Sequence, residues 1–129
     1  MERRRLPRHR IDLPARFRIR TLKHPPRVSS FIVARVYDLS EIGVRLLSDQ
    51  VLADGLHVLR PDYATSEHPV LDIEIEAGGA PLLLKGKVIW YDRTPPDSAL
   101  SFEIGVEFAD TDEDLRSRIR NLIRGRSPA

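Results

Sequence analysis

Apolar and polar residues alternate along several short stretches of the chain. In residues 13–20 the apolar positions are Leu13, Ala15, Phe17 and Ile19, and three of the intervening positions are arginine. Residues 70–77 show the same period of two, with acidic side chains between the aliphatic ones. A period of two with one charged face is typical of a half-buried β-strand. Both stretches are therefore predicted to be strands with one face on a core.

Five further stretches are rich in β-branched and aromatic residues and are predicted to be strands, namely residues 31–38, 44–48, 55–60, 82–92 and 99–108. Proline pairs and the Gly78-Gly79 hairpin signal separate neighbouring strands. Gly86 is predicted to mark a β-bulge.

The period changes in residues 109–125, where Leu115, Ile119, Leu122 and Ile123 follow helical spacing. We expect an amphipathic helix that is capped by Asp110 or Thr111 and ends near Gly125. Six or seven short strands followed by one helix predict a mostly β fold. The expected architecture is a small antiparallel barrel with the terminal helix packed against it.

The composition excludes several classes of protein. The 129 residues include no cysteine, which excludes disulfides and thiolate catalysis. No apolar run approaches the roughly 20 residues that span a bilayer, and no apolar segment follows the basic N-terminus. The common nucleotide-binding and hydrolase motifs are absent, and the four histidines are scattered. We therefore expect a soluble, cytoplasmic protein without catalytic activity, metal or cofactor.

Positive charge is concentrated at the N-terminus. Residues 1–20 contain eight arginines and two acidic residues, a balance of +6, whereas residues 21–109 have a balance of −5. A local concentration of arginine favours a compact anionic partner over a long nucleic-acid track. A solvated tail remains an alternative, as does a nucleic-acid-binding barrel. No aromatic residue precedes Phe17, although such barrels usually interleave aromatic and basic residues.

The second stretch of interest is DLSEIG, residues 38–43, at the junction of two predicted strands. Aspartate and serine bond local amides, and glycine permits a positive φ, so the stretch is a turn. A rigid turn also presents Asp38 and Ser40 in fixed geometry, so a structural role and a binding role are both open.

RRLPR, residues 4–8, followed by DLSEIG resembles the signature of the PilZ domain family. GVRLLS, GKVIW, EIGVEF and the terminal helix resemble later parts of that family, so the resemblance extends from Arg3 to Ile123. It implies a six-stranded antiparallel β-barrel with a C-terminal α-helix. It also implies binding of cyclic di-GMP, a bacterial second messenger.

The resemblance assigns the ligand-binding roles to Arg4, Arg8, Asp38, Ser40 and Gly43. An arginine can donate to the N7/O6 edge of guanine or to phosphate, and a fixed carboxylate can accept from N1–H and N2–H of guanine. Secondary contacts are expected from Arg3, Arg5, Arg10 and Trp90. An arginine at position 3 is interpreted as favouring a stacked pair of ligand molecules.

The predicted organisation is a flexible basic arm in residues 1–12, a PilZ-like barrel with its helix in residues 13–125, and a tail in residues 126–129. The expected function is that of a receptor that changes conformation on binding cyclic di-GMP and signals to an unidentified effector protein. The alternatives are a PilZ-like interaction adaptor that does not use the nucleotide, or a small barrel that binds nucleic acid.

Overall fold

A closed antiparallel β-barrel forms most of the molecule in a computed structural model that describes residues 8–22, 25–59 and 68–126. In chain order the elements are β1 (His9–Arg20), β2 (Ile32–Leu39), β3 (Gly43–Ser48), β4 (Leu52–Ala53), β5 (Leu56–His57), β6 (Val70–Ile75), β7 (Leu82–Arg93), β8 (Phe102–Ala109) and α1 (Glu113–Arg126). The barrel has the strand order β1-β2-β3-β8-β7-β6, and every pairing is antiparallel. The predicted six-stranded barrel with a C-terminal helix is confirmed.

The alternating apolar side chains point into the barrel. Phe17 and Ile19 of β1 and Ile75 of β6 are completely buried. Full burial of a side chain of this size contributes about 1.5–3 kcal/mol. The apolar stripe of α1 joins the same core through Ile119 and Ile123, so the helix packs against the barrel as predicted.

The strand predictions differ from the structure in several places: β4 was not predicted, and β8 begins at Phe102 rather than at residue 99. β1 begins at His9 rather than at residue 13, because buried Ile11 continues the alternation. The strand predicted at residues 55–60 is shorter in the structure, because β5 spans Leu56–His57 and pairs with β4 in a two-stranded sheet outside the barrel. The barrel therefore has six strands and not seven.

The bulge predicted at Gly86 is also wrong. Gly86 pairs in register with Leu71 and Phe108, and a Cβ there would lie 2.4 Å from Cγ1 of Val106. The glycine is needed for this close approach, whereas the register of β7 shifts between Val88 and Trp90.

The ends of α1 also differ from the predictions. Its N-terminal cap is Asp112, which accepts a hydrogen bond from the backbone N–H of Leu115 at 2.9 Å, rather than Asp110 or Thr111. The helix continues through Gly125 to Arg126. Within the described residues, no helix has the length and apolar character needed to cross a membrane.

Candidate ligand-binding site

A row of directly paired residues crosses five barrel strands next to the DLSEIG turn. Arg10 of β1 pairs with Asp38 of β2, which pairs with Arg45 of β3; Arg45 pairs with Gly105 of β8, and Gly105 pairs with Trp90 of β7. We call these five residues the paired row. It brings charged and aromatic side chains from distant parts of the sequence onto one patch of the barrel surface.

Three β-bulges border the paired row. The register shifts in β1 between Arg10 and Leu13, in β2 between Val36 and Asp38, and in β7 between Val88 and Trp90. Bulges occur preferentially next to functional sites, where they redirect side chains. Three of them at one patch therefore point to a site.

Two of these bulges change which side of the barrel wall a side chain points to. Regular alternation in β2 from Ile32 would direct Asp38 into the core, but the extra residue Tyr37 instead places Leu39 in the core and pairs Asp38 with Arg45. In β7 the extra residue is Ile89. It leaves the indole of Trp90 on the outer surface, 39% exposed.

Asp38 lies at the centre of a four-residue ionic cluster. Its Oδ1 is 3.2 Å from Nη1 of Arg8, and its Oδ2 is 3.2 Å from Nη2 of Arg45. Nη1 of Arg45 donates to Oε1 of Glu103 at 3.1 Å. We call Arg8, Asp38, Arg45 and Glu103 the Asp38 cluster. The side chain of Asp38 is only 7% exposed, so its charge requires these partners.

Ser40 and Gly43 close the DLSEIG turn. The backbone N–H of Ser40 donates to the carbonyl of Gly43 at 2.9 Å, and the buried Ser40 hydroxyl accepts from the N–H of Ile42 at 3.2 Å. Gly43 does not adopt a positive φ, contrary to the turn interpretation of its sequence. Its glycine is required because a Cβ would lie 2.5 Å from the carbonyl oxygen of Val106.

A shallow groove beside the Asp38 cluster exposes an aromatic surface. Residues that line it include Arg8, Ile42, Gly43, Ile89, Trp90 and Gly105. A Cβ on Gly105 would lie 2.4 Å from Cε2 of the Trp90 indole, so only glycine lets the ring rest on β8. The groove is thus lined by Arg8, Glu107 and the large aromatic ring of Trp90, and it adjoins Asp38 through the ion pair with Arg8.

Two further contacts hold the borders of the site. The guanidinium of Arg10 lies 3.8 Å from the centre of the Tyr37 ring, and its Nε donates to the Tyr37 carbonyl at 3.0 Å. At the turn, Arg120 of α1 donates to Glu41 at 2.8 Å. Hydrogen bonds to Glu113 and Glu41 raise the pKa of Arg120. The helix is therefore tied to the DLSEIG turn.

Of the residues predicted to bind ligand, the structure brings Arg8, Asp38, Ser40, Gly43 and Trp90 together, with Arg10 beside them. The other predicted contacts, Arg3, Arg4 and Arg5, lie outside the described residues.

Sequence reasoning missed Arg45, Glu103 and Tyr37. A signal for Arg45 was present, because a turn closed by Ser40 and Gly43 sets Asp38 opposite residue 45. No local pattern indicated Glu103, which reaches the cluster only through the β3–β8 pairing.

A larger depression elsewhere on the barrel is a weaker candidate. It is lined in part by Arg16, Val33, Glu74 and the Gly78-Gly79 turn. Its arginine is already paired, with Nη2 of Arg16 2.9 Å from Oε1 of Glu74, and it contains no residue of either motif. Among the described residues, no group of three or more histidine, aspartate or glutamate side chains is arranged to hold a metal ion.

The fold is a small closed barrel with a terminal helix, and comparison with known families identifies its class. The PilZ domain model matches residues 2–125, so this chain belongs to the PilZ domain family. The family resemblance noted in the sequence is confirmed. No curated protein sequence matched significantly.

Solved PilZ structures share the fold at low sequence identity. The PilZ domain of YcgR from Escherichia coli with c-di-GMP has a TM-score of 0.67 and 17% identity, covering 96% of this chain and 91% of that one. MotI/DgrA, an inhibitor of motility from Bacillus subtilis, has a TM-score of 0.59 and 15% identity, covering 98% of this chain and 51% of that one.

MrkH from K. pneumonia in complex with c-di-GMP has a TM-score of 0.60 and 19% identity, covering 96% of this chain and 52% of that one. This chain therefore spans about half the length of MotI/DgrA and of MrkH.

Proposed function

We propose that this protein is a cyclic di-GMP receptor without catalytic activity. One observation carries the proposal: Arg8 of the first motif and Asp38 of the second, 30 residues apart, form an ion pair at the edge of a groove lined by Trp90. Membership of the PilZ family supports it, as do structural relatives that were solved with c-di-GMP. The proposed ligand contacts are Arg4, Arg8, Asp38, Ser40 and Gly43, with secondary contacts from Arg3, Arg5, Arg10 and Trp90.

The chemistry of these side chains suits a guanine dinucleotide. The carboxylate of Asp38 offers about four lone-pair sites and can accept from N1–H and N2–H of guanine, a donor pair that adenine lacks. The planar fork of Arg8 matches the N7/O6 edge of guanine and also the oxygens of phosphate. The exposed indole of Trp90 offers a face on which a base can stack. A second, stacked ligand molecule would take its contact from Arg3.

Ligand binding also supplies a signal. The Arg8 guanidinium lies beside Oδ1 of Asp38. Guanine competes for the same carboxylate, so binding redirects Arg8 from Asp38 to the dinucleotide and draws the preceding residues over the ligand. The protein surface then differs between the two states, and an effector protein that prefers one surface reads the change.

Titration calorimetry with cyclic di-GMP tests the proposal. We expect saturable binding at micromolar ligand, weakened roughly tenfold to a hundredfold by Arg8→Ala, because a charge-assisted hydrogen bond contributes about 1.5–3 kcal/mol. Arg16→Ala is the matched control, since it removes an arginine of the same strand region that pairs with Glu74 away from the groove. Absence of binding to the unaltered protein would instead favour the nucleotide-independent adaptor.

A further inference from the structure

We propose that Arg45 is the positioning residue that orients the Asp38 carboxylate for guanine, and that Glu103 anchors Arg45 in this role. The inference rests on the proposed receptor function and adds two residues that neither motif contains. Asp38 has two arginine partners, Arg8 and Arg45, and the surroundings of the two arginines differ.

Arg45 is held by contacts on several sides. Its two terminal nitrogens are shared between two carboxylates, Oδ2 of Asp38 at 3.2 Å and Oε1 of Glu103 at 3.1 Å. The centre of its guanidinium also lies 5.0 Å from the ring of Tyr37 and 5.7 Å from that of Trp90, distances at which a cation is attracted to an aromatic ring. A planar fork fixed in this way keeps a positive charge beside Oδ2, which favours one orientation of the carboxylate.

Arg8 is held much less firmly. It precedes β1, and its ion pair with Asp38 is the polar contact that the described residues give its side chain. Arg8 is therefore the partner that can leave, and Arg45 is the partner that stays. With Arg45 on Oδ2, the remaining lone pairs of Asp38 keep one direction and can meet N1–H and N2–H of guanine.

A purely structural role explains Arg45 less well. Its Nε is buried and has no hydrogen-bond partner among the described residues, which is an unfavourable arrangement. Replacement of a buried ion pair by apolar side chains is often neutral for stability. That neutrality requires both partners to be replaced, so Arg45 also stabilises the barrel by neutralising the buried Asp38; arginine is in addition the side chain that joins Glu103 to Asp38.

The test is a double-mutant cycle measured by calorimetry with cyclic di-GMP. Arg45→Met is introduced into the unaltered protein and into an Asp38→Asn background, which retains the shape of the side chain but not its charge. We expect about a tenfold loss of affinity in the first case and less than about a twofold loss in the second, because Arg45 acts through Asp38. Selectivity over cyclic di-AMP should fall by the same factor as the affinity, since adenine lacks the N1–H and N2–H donor pair.

Arg35→Met is the matched control for charge. It removes an arginine of β2 whose Nε lies 2.7 Å from Oδ1 of Asp12, and it should leave affinity and selectivity unchanged. Thermal unfolding of each variant establishes that it is folded. If Arg45→Met does not fold, Glu103→Gln replaces it in the cycle, with an expected loss of about threefold that again depends on Asp38.

The outcomes separate this inference from the receptor function. A loss that persists in the Asp38→Asn background would mean that Arg45 acts directly on the ligand or through general charge, and the inference would be wrong. Unchanged affinity of Arg45→Met would also overturn it, while the receptor function would stand. Failure of the unaltered protein to bind cyclic di-GMP would remove both.

Discussion

Two groups of arginine and carboxylate side chains, one on β1 and β6 and the other around Asp38, differ in what surrounds them. In the arginine ladder, defined here as Arg16, Arg18 and Arg20 of β1 with Asp72 and Glu74 of β6, the strands pair in regular register. The Asp38 cluster lies at strand bulges beside a groove with an exposed indole.

The aromatic residues beside the two groups also differ, because one ring is covered by arginines and the other is exposed. The guanidiniums of Arg16 and Arg18 lie over the ring of Phe31, 4.0 and 5.0 Å from its centre, so the ladder covers its own aromatic side chain. The Trp90 ring remains 39% exposed. Arginine and carboxylate alone therefore do not define a site. What distinguishes the Asp38 cluster is that its buried acceptor, Asp38, lies at an irregular strand pairing next to the exposed ring of Trp90.

The largest expected difference between the two groups is in ligand affinity. Asp38→Ala removes the acceptor of two guanine N–H donors, and we expect cyclic di-GMP to bind at least about a hundredfold more weakly, at about 1.5–3 kcal/mol for each charge-assisted hydrogen bond. Asp72→Ala removes a carboxylate from the ladder and should change affinity less than about twofold. Calorimetric titration of both variants measures the difference. Equal losses would show that bulk charge, and not the geometry of the Asp38 cluster, governs binding.

A smaller difference in ligand affinity is expected between variants of the two aromatic residues, Trp90 and Phe31. Trp90→Ala removes the stacking face, which is worth about 1–3 kcal/mol per base, so affinity should fall roughly tenfold. Phe31→Ala should leave it unchanged, since arginines already cover that ring. Trp90 is the only tryptophan, so its fluorescence provides an independent titration signal. If emission does not change on saturation, Trp90 does not contact the ligand.

The alternation of residues 13–20 was sufficient to predict the ladder strand, because its pairing is regular and one face is buried. The same rule fails at Asp38 and Trp90. From Ile32 and Leu82 onward it directs both side chains into the core, whereas the extra residues Tyr37 and Ile89 pair Asp38 with Arg45 and bring Trp90 to the surface. In β2 the step from Val36 to Leu39, with the charged Asp38 between them, is a sign of the bulge, whereas the run from Val88 to Trp90 carries no such sign.

The motif residues were predicted because their spacing matches a known family, whereas Glu103 was missed because its role depends on tertiary pairing. It lies 58 residues from Arg45 in sequence, and the β3–β8 pairing brings the two side chains together. The sequence analysis explained the glycine at position 43 by a conformational requirement, which the structure does not bear out. In the closed barrel, a Cβ at this position would lie too close to the carbonyl oxygen of Val106. This clash excludes a side chain, and it depends on the β3–β8 pairing.

The smallest predicted effect concerns the ladder alone. Burial raises the pKa of Asp72, but hydrogen bonds from Arg20 and Arg18, together with their charges, outweigh it and hold this pKa below its usual value. A carboxyl with a lowered pKa in the folded state stabilises the protein above its unfolded pKa, and this contribution is lost as the pH falls through the folded value. Asp72→Asn should therefore lower the free energy of unfolding near neutral pH, by about 1 kcal/mol or less because the arginines are partly exposed.

Urea unfolding of the Asp72→Asn and unaltered proteins, compared from about pH 7 to about pH 3, measures this difference, which should shrink towards the acidic end. Ligand affinity at neutral pH should be the same for both proteins. A stability difference independent of pH would show that Asp72 acts through packing rather than charge. A loss of cyclic di-GMP affinity would extend the binding site to β6 and remove the distinction between the arginine ladder and the Asp38 cluster.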